Sequence, residues 1–230
     1  VLRAEKVKEF AKSHGADLVG IGSMDRFEGV PLQNDPRRIF PEVRSIIGLG
    51  FRIHNASIDD VNAPIILGEV GNLLEDNGYE AILCQDTSVR LGRGVRKRIE
   101  PGKPDFFLHF RIAATICGMG EIGLSNIFLS PEFGPHQKLA FILTDAPLEP
   151  DLLFEGKICD RCMMCSKECP AGAIDATKTV KITIAGREFE WGELDKEKCS
   201  ASRYVCGARG CISACTTHLE QTGKITKHLQ

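Results

Sequence analysis

The sequence predicts an α/β layer over residues 1–150, followed by a small cysteine-rich module over 151–230. Two observations carry this. The first part alternates helix-period apolar stripes with short, dense apolar runs, the pattern of helices layered on a sheet. Beyond it, eight of the chain's ten cysteines fall between positions 159 and 215. At 230 residues the chain is long enough for one or two domains with a sizeable core. Hydrophobic (43%) and charged (26%) shares are ordinary for a soluble globular protein. A net charge of −2 gives no sign of a nucleic-acid or membrane surface. No apolar run approaches the ~20 residues of a membrane span. The N-terminal VLRAEKVKEFAKSHG is charged and amphipathic, unlike a signal peptide. The chain opens on Val1, which leaves a removed leader or a trimmed start open.

Leu2, Val7, Phe10 and Ala11 recur at helical spacing, which predicts a helix ending near Gly15. Residues 17–21 (DLVGI) read as a buried strand. Pro31, Asn34, Asp35, Pro36 and Pro41 make 23–42 a loop. Residues 45–51 (SIIGLGF) predict a second strand, 63–78 a helix stopped by Asn77-Gly78, and 79–84 (YEAILC) a third strand. The stretch 85–104 is basic and turn-rich, with Arg90, Arg93, Arg96, Lys97, Arg98 and Lys103. It reads as a solvated face or as a loop over an anionic ligand. A helix is predicted over 105–117, and strands over 126–129 and 138–144 joined by the SPEFGP turn. Residues 180–184 and 187–191 predict a hairpin turning at Ala185-Gly186. Residues 219–230 read as a polar tail, and Cys84 and Cys117 as core cysteines in apolar settings.

The most informative stretch is ICDRCMMCSKECP, with Cys159, Cys162, Cys165 and Cys169 followed by Pro170. This is C-x2-C-x2-C-x3-C-P, the run with which bacterial ferredoxins hold a [4Fe–4S] cluster. Three thiolates two residues apart can curl around one cube, while the fourth points away toward a neighbouring cluster. Zinc usually takes two ligand pairs well separated in sequence, which argues against a zinc knuckle.

A second group, Cys199, Cys206, Cys211 and Cys215, is looser, and Thr216 stands where a proline would be usual. Its closing C-x3-C repeats the first group's ending. In a duplicated ferredoxin arrangement the fourth cysteine of each run crosses over. Cluster one would then take Cys159, Cys162, Cys165 and Cys215, and cluster two Cys169, Cys199, Cys206 and Cys211. The alternative is that some of the later cysteines are buried free thiols. Cluster-type spacing implies a reducing, intracellular and hence cytoplasmic setting rather than a disulfide framework.

Gly118, Gly120 and Gly123 (GMGEIG) match G-x-G-x-x-G. A dinucleotide fingerprint needs a strand before it and a long helix after it. Here a helix is expected before it and Pro131 follows within eight residues, so the glycines are read as allowing close backbone approach to another ligand.

With GMGEIGLSNIFLSPEFGPHQKLAFILTDAPLEP leading into the first cysteine run, residues 118–174 resemble the core of cobalamin-dependent reductive dehalogenases and epoxyqueuosine reductases. These share a GxGExG-type loop, a TPE(Y/F)GP-type turn, a TDLPL-type strand and then the cysteines. LEDNGYEAI at 74–82 resembles their helix-to-strand passage. The resemblance implies a nitroreductase-like α/β domain holding base-off cobalamin, followed by a ferredoxin-like module with two [4Fe–4S] clusters. It places Gly118, Gly120, Gly123, Ser130, Glu132, Phe133 and Gly134 along the corrinoid. It also implies a reductase fed single electrons by a redox partner such as a ferredoxin or flavodoxin, acting on an unidentified small molecule.

The sequence departs from the family in places. Epoxyqueuosine reductases carry a lysine after the glycine loop, where Leu124 stands here, and helical repeats for which this chain has no room. Dehalogenases use a tyrosine proton donor; this chain has only Tyr79 and Tyr204, in other passages. Asp105 lies near the aspartate that epoxyqueuosine reductases use, about one position off, and reads more readily as a helix cap. His109 is a second candidate donor or a structural histidine. Other readings are a non-catalytic electron carrier on the same scaffold, or a corrinoid-binding maturation partner.

Overall fold

A computed structural model describes residues 2–53, 63–84, 108–199 and 210–225. The basic stretch 85–104, Asp105, Tyr204 and Cys206 lie outside the described residues. The chain is mixed α/β and divides into two compact units. One comprises Val1–Met119 with Lys138–Leu153, the other Gly120–Gln137 with Phe154–Gln230. The glycine loop beyond Met119 and the SPEFGP turn therefore belong to the second unit.

The first unit contains α1 (Ala4–Ser13), β1 (Leu18–Ser23), β2 (Ser45–Arg52), α2 (Ala63–Asp76), β3 (Ala81–Cys84) and α3 (Phe110–Ile116). Three 3-10 turns, Met24–Phe27, Leu32–Asn34 and Pro36–Arg38, shape the expected 23–42 loop. A later strand, Gln137–Thr144, completes a four-stranded sheet in which it lies between β2 and β3. β1 and β2 are antiparallel, with Leu18 opposite Gly50 and Ser23 opposite Ser45. α1 carries Glu5 in its first turn and Lys12 in its last, charges that complement the helix dipole. α2 ends in a Schellman arrangement. Gly78 at φ 83° lets the Gly78 and Tyr79 N–H groups return to the Glu75 and Leu74 carbonyls at 2.9 and 3.1 Å.

One face of the sheet is an aliphatic core. Val7 and Ala11 of α1 and Ile66, Leu67, Val70 and Leu74 of α2 cover Ile21, Ile47, Leu49 and Ile142. Each Val, Leu or Ile side chain among them, removed from water, contributes about 1.5–3 kcal/mol. The other face is shaped by glycine. Gly20 and Gly48 are cross-strand partners. A Cβ on Gly20 would lie 2.4 Å from the Cys117 carbonyl, and one on Gly48 2.7 Å from the Met119 sulfur. The end of α3 thus sits directly on bare backbone. Cys84 and Cys117 are buried here, in keeping with core cysteines. Burial, helped by the nearby Asp151 charge, pushes the Cys117 thiol far above its ordinary range.

The second unit contains β4 (Glu121–Ile122), β5 (Phe128–Leu129), α4 (Met164–Lys167), β7 (Ile174–Ile184), β8 (Arg187–Leu194) and α5 (Gly210–Gln221); the strand Gln137–Thr144 is β6. The hairpin turns where expected, at Ala185-Gly186, with φ of 50° and 73°. β7 starts at Ile174, six residues before the strand predicted at Val180, and is irregular between Asp175 and Thr179. Two sequence expectations are corrected. The 126–129 strand shrinks to Phe128–Leu129 paired with Glu121–Ile122. The supposed polar tail supplies core: Leu219 (1% exposed) and Ile225 (6%) pack with Leu129 and Ile158. Two apolar residues six apart among polar ones gave no helical stripe to read. Among the described residues no helix is long and apolar enough to cross a membrane.

Ser45 gives a test of the first unit. Its buried hydroxyl donates to the Ala146 carbonyl (2.8 Å) and accepts from the Leu148 N–H (3.0 Å). Ser45→Ala removes both bonds but leaves the Leu148 N–H donating to the Ala146 carbonyl at 3.0 Å. We expect a loss of about 0.5–1.5 kcal/mol in denaturant unfolding, with little change in the denaturant slope.

Candidate metal centre

The second unit gathers cysteines far apart in sequence. Cys159, Cys162, Cys165 and Cys215 line one hollow of about 350 Å³ of atom-free space, part of it open to solvent. Gly123, Leu124, Leu129, Asp160, Met163, His218 and Leu219 complete its wall. Arg161 and Met163 take left-handed backbone (φ 60° and 67°), which curls the loop between the cysteines. The one-turn α4 then carries Cys165 inward. Cys215 arrives from α5, five decades of sequence later, so the hollow is closed by the second cysteine group rather than by Cys169.

The electrostatics follow the same grouping. Burial, then the charges of Cys165, Cys159 and Cys162, push the Cys215 thiol up to about 12. Burial, then Cys159 and Cys162, push Cys165 up to about 11. Cys211 is raised by burial and by Cys169 and Cys199. Cys215 feels mainly the first three cysteines and Cys211 mainly Cys169 and Cys199, but the two sets touch, since the Cys211 charge also acts on Cys165 and Cys215. Four thiolates facing one hollow repel one another unless a cation sits among them. An all-sulfur donor set suits zinc or an iron–sulfur cluster.

The first cysteine loop is held from three sides. Glu121 Oε1 accepts from the Ile158 and Cys159 N–H groups at 2.7 and 2.6 Å. The Leu124 N–H points at Cys159 Sγ at 3.4 Å. Asp160 Oδ2 lies 2.8 Å from His218 Nε2 and 3.6 Å from Lys224 Nζ, both supplied by the C-terminal segment. Burial raises the Asp160 carboxyl, but the His218 hydrogen bond and charge and the Lys224 charge outweigh it and hold the group below its ordinary range. Asp160, Cys162 and His218 offer ligand atoms within 4.8 Å of one another. On the far side, Arg161 pairs with Glu190 of β8 at 2.6 Å.

None of Glu121, Asp160, His218 and Lys224 was expected from the sequence. Signals existed: Glu121 is the acidic member of GMGEIG, and His218 lies three residues beyond Cys215, on the same face of α5. Thr216 also finds its reason. It lies inside α5, where a proline would remove a helical hydrogen bond and clash with the preceding turn.

The residues placed along a corrinoid by resemblance have other contacts. A Cβ on Gly118 would lie 2.1 Å from the Leu152 carbonyl, and one on Gly120 2.0 Å from the Leu129 carbonyl. The close approach that these glycines permit is to the chain's own backbone. Gly118 lines an open groove with α1 residues, whereas Gly123 lines the cysteine hollow. Ser130 is fully buried; its hydroxyl donates to Gln137 Oε1 (2.9 Å) and accepts from the Phe133 N–H (3.1 Å). Gly134 packs against Ile225 and Leu219. Glu132 is exposed and Phe133 half-buried. His109 caps α3, its ring nitrogen accepting from the Ile112 N–H. Tyr79 packs against the aliphatic core.

No family model matches the chain. The chain is homologous to reductive dehalogenases and epoxyqueuosine reductases. It is 29% identical over 113 residues to the tetrachloroethene reductive dehalogenase of Sulfurospirillum multivorans, covering 44% of this chain and 22% of that one. It is 23% identical over 209 residues to the epoxyqueuosine reductase of Bacillus subtilis, covering 74% and 51%. The chain thus spans about a fifth to a half of the length of these relatives. Its fold is similar to that of an epoxyqueuosine reductase solved with a tRNA-Tyr stem loop, with a TM-score of 0.66, 18% identity, and coverage of 98% of this chain and 67% of that one. It is similar also to a reductive dehalogenase whose structure suggests a mechanism for B12-dependent dehalogenation, with a TM-score of 0.63, 21% identity, and coverage of 93% and 31%.

Leu219 tests whether the C-terminal segment supports the hollow. It is 1% exposed and packs on Leu129 and Ile158, one residue before the first cysteine. Leu219→Ala is expected to cost about 2–5 kcal/mol in the second unit. The checking measurement is hydrogen exchange, which should rise across 154–225 and stay unchanged in β1 and β2.

Proposed function

We propose that the chain is an iron–sulfur oxidoreductase module that holds two [4Fe–4S] clusters and passes single electrons. The observation that carries it is Cys215 joining Cys159, Cys162 and Cys165 at one hollow. Those four would hold cluster one, and Cys169, Cys199, Cys206 and Cys211 cluster two. Such clusters supply one-electron storage with little movement of the protein. The chain's own work is to hold eight thiolates apart from water and from one another, and to fix the first cysteine loop by Glu121 and Asp160. Cubane iron is favoured over zinc by the tight C-x2-C-x2-C-x3-C-P run. A ferredoxin or flavodoxin in a reducing, cytoplasmic setting fits as electron donor.

A second reading makes cobalamin the electron acceptor and the chain part of a cobalamin-dependent reductase. What favours it is the fold likeness to the B12-dependent dehalogenation structure over 93% of this chain. Bound cobalamin would supply the bond-breaking chemistry at its metal. The described residues do not yet form its cradle, because Gly118, Gly120 and Ser130 face their own chain. Asp105, the proposed proton donor, falls outside the described residues.

Anaerobically reconstituted protein should carry iron and sulfide for two cubanes, about eight iron atoms per chain. Cys165→Ala and Cys215→Ala should extinguish the same paramagnetic signal, and Cys211→Ala the other. Different signals lost from the first two variants would sink the crossover, and zinc in place of iron would sink the function. Adding cobalamin to the two-cluster protein should shift the corrinoid's visible spectrum to the base-off form. An unchanged spectrum leaves the electron-carrier reading alone.

A further inference from the structure

We propose that Glu121 positions the first cysteine loop and that its charge keeps a cluster bound there hard to reduce. This rests on the two-cluster reading above. One carboxylate oxygen, Oε1, takes both the Ile158 and Cys159 N–H groups, at 2.7 and 2.6 Å. Three residues along the same loop, Leu124 donates its N–H to Cys159 Sγ at 3.4 Å. The segment from Glu121 to Leu124 therefore grips this cysteine at backbone and sulfur together. The grip is rigid. Glu121 is paired with Leu129 in the β4–β5 ladder, and the Leu124 carbonyl accepts from the Gly192 N–H of β8 at 2.8 Å.

Two features bear on a cluster on Cys159 and they oppose one another: the Leu124 N–H on Cys159 Sγ favours reduction, and the Glu121 charge disfavours it. Reduction adds one electron and so one negative charge, which a neighbouring carboxylate disfavours. Hydrogen bonds to the sulfurs and local net charge are among the levers that set such potentials. The Ile158 and Cys159 N–H groups point at Glu121 and not at sulfur, so they do not offset the added charge. Among the described residues no cation lies within ion-pair distance of Glu121; its partners at Oε1 are the two loop N–H groups, which offset part of its charge and leave the rest to act on the cysteine loop.

Charge and positioning separate by substitution. Glu121→Gln keeps an acceptor oxygen for both N–H groups and removes the charge. Glu121→Ala removes both. The test is a dithionite titration of the full-length reconstituted chain followed by electron paramagnetic resonance. Cys215→Ala identifies which signal belongs to cluster one. Glu121→Gln is expected to retain full iron and to raise the reduced-to-oxidised ratio of cluster one at a fixed potential about tenfold, ~59 mV for a one-electron couple. Cluster two should move far less. Glu121→Ala should lose cluster one's iron and retain cluster two's. A fully loaded Glu121→Gln protein with an unmoved midpoint overturns the charge effect, and equal shifts in both clusters overturn its locality. If the parent protein binds no iron, the two-cluster reading falls, while exchange of the Ile158 and Cys159 amides still tests the positioning. It should quicken in Glu121→Ala, and unchanged exchange overturns it.

Discussion

The second unit depends on one constraint: four sulfurs brought to a single hollow repel one another as thiolates. The buried Cys165 and Cys215 thiols show the conflict, pushed up to about 11 and about 12 by burial and by neighbouring sulfur charge. Raised in this way, the unligated thiols hold their protons near neutral pH, so a metal bound at the hollow would displace those protons and its affinity would be coupled to the folding of this unit. The rest of the unit is arranged to accept that cost. α5 brings Cys215 in, and Leu219 on the same helix buries itself against Ile158. The loop's free backbone donors are taken by Glu121, and its Asp160 by His218 and Lys224.

The helix α5 explains why the second cysteine group looks irregular in sequence. Cys211 and Cys215 lie four apart, which on a helix places them one turn apart on one face. Their largest sulfur neighbours differ, Cys169 for Cys211 and Cys165 for Cys215, although the Cys211 charge also acts on Cys215 across the turn. In the proposed cluster arrangement a single helical turn would serve two sulfur sets. That use demands a continuous helix through Thr216, and continuity excludes the proline that closes the first run. The first group needs only the one-turn α4, so Pro170 can follow Cys169 without breaking anything.

Much of the first unit was legible because its rules are local. The stripe of Val7 and Ala11, the apolar runs of β1 and β2, and the Asn77-Gly78 stop each state their structure within a few residues. The first cysteine run stood out for a different reason, since its spacing is that of a cluster-binding loop; the structure brings Cys159, Cys162 and Cys165 to one hollow with Cys215. What stayed hidden needed partners distant in sequence. Leu219 and Ile225 read as tail because the surfaces they cover, Leu129 and Ile158, lie 60 or more residues earlier. Glu121 read as one member of a glycine loop because its role appears only when Cys159 stands above it. Resemblance did not fill this gap, because a shared motif carries positions but not what each position faces.

The glycine loop shows how that difference matters for function. A glycine in a ligand-binding family reads as room for a ligand, and Gly118 and Gly120 were read so. In the structure the missing Cβ atoms make room for the Leu152 and Leu129 carbonyls. Packing of that kind fixes the path of the loop, and the path is what delivers Glu121 and Leu124 to Cys159. The loop then has a role that needs no second ligand: it is a clamp on the backbone and sulfur of Cys159. Any ligand on the far side of this loop would therefore meet a backbone path already fixed by its packing on Leu129 and its hold on Cys159.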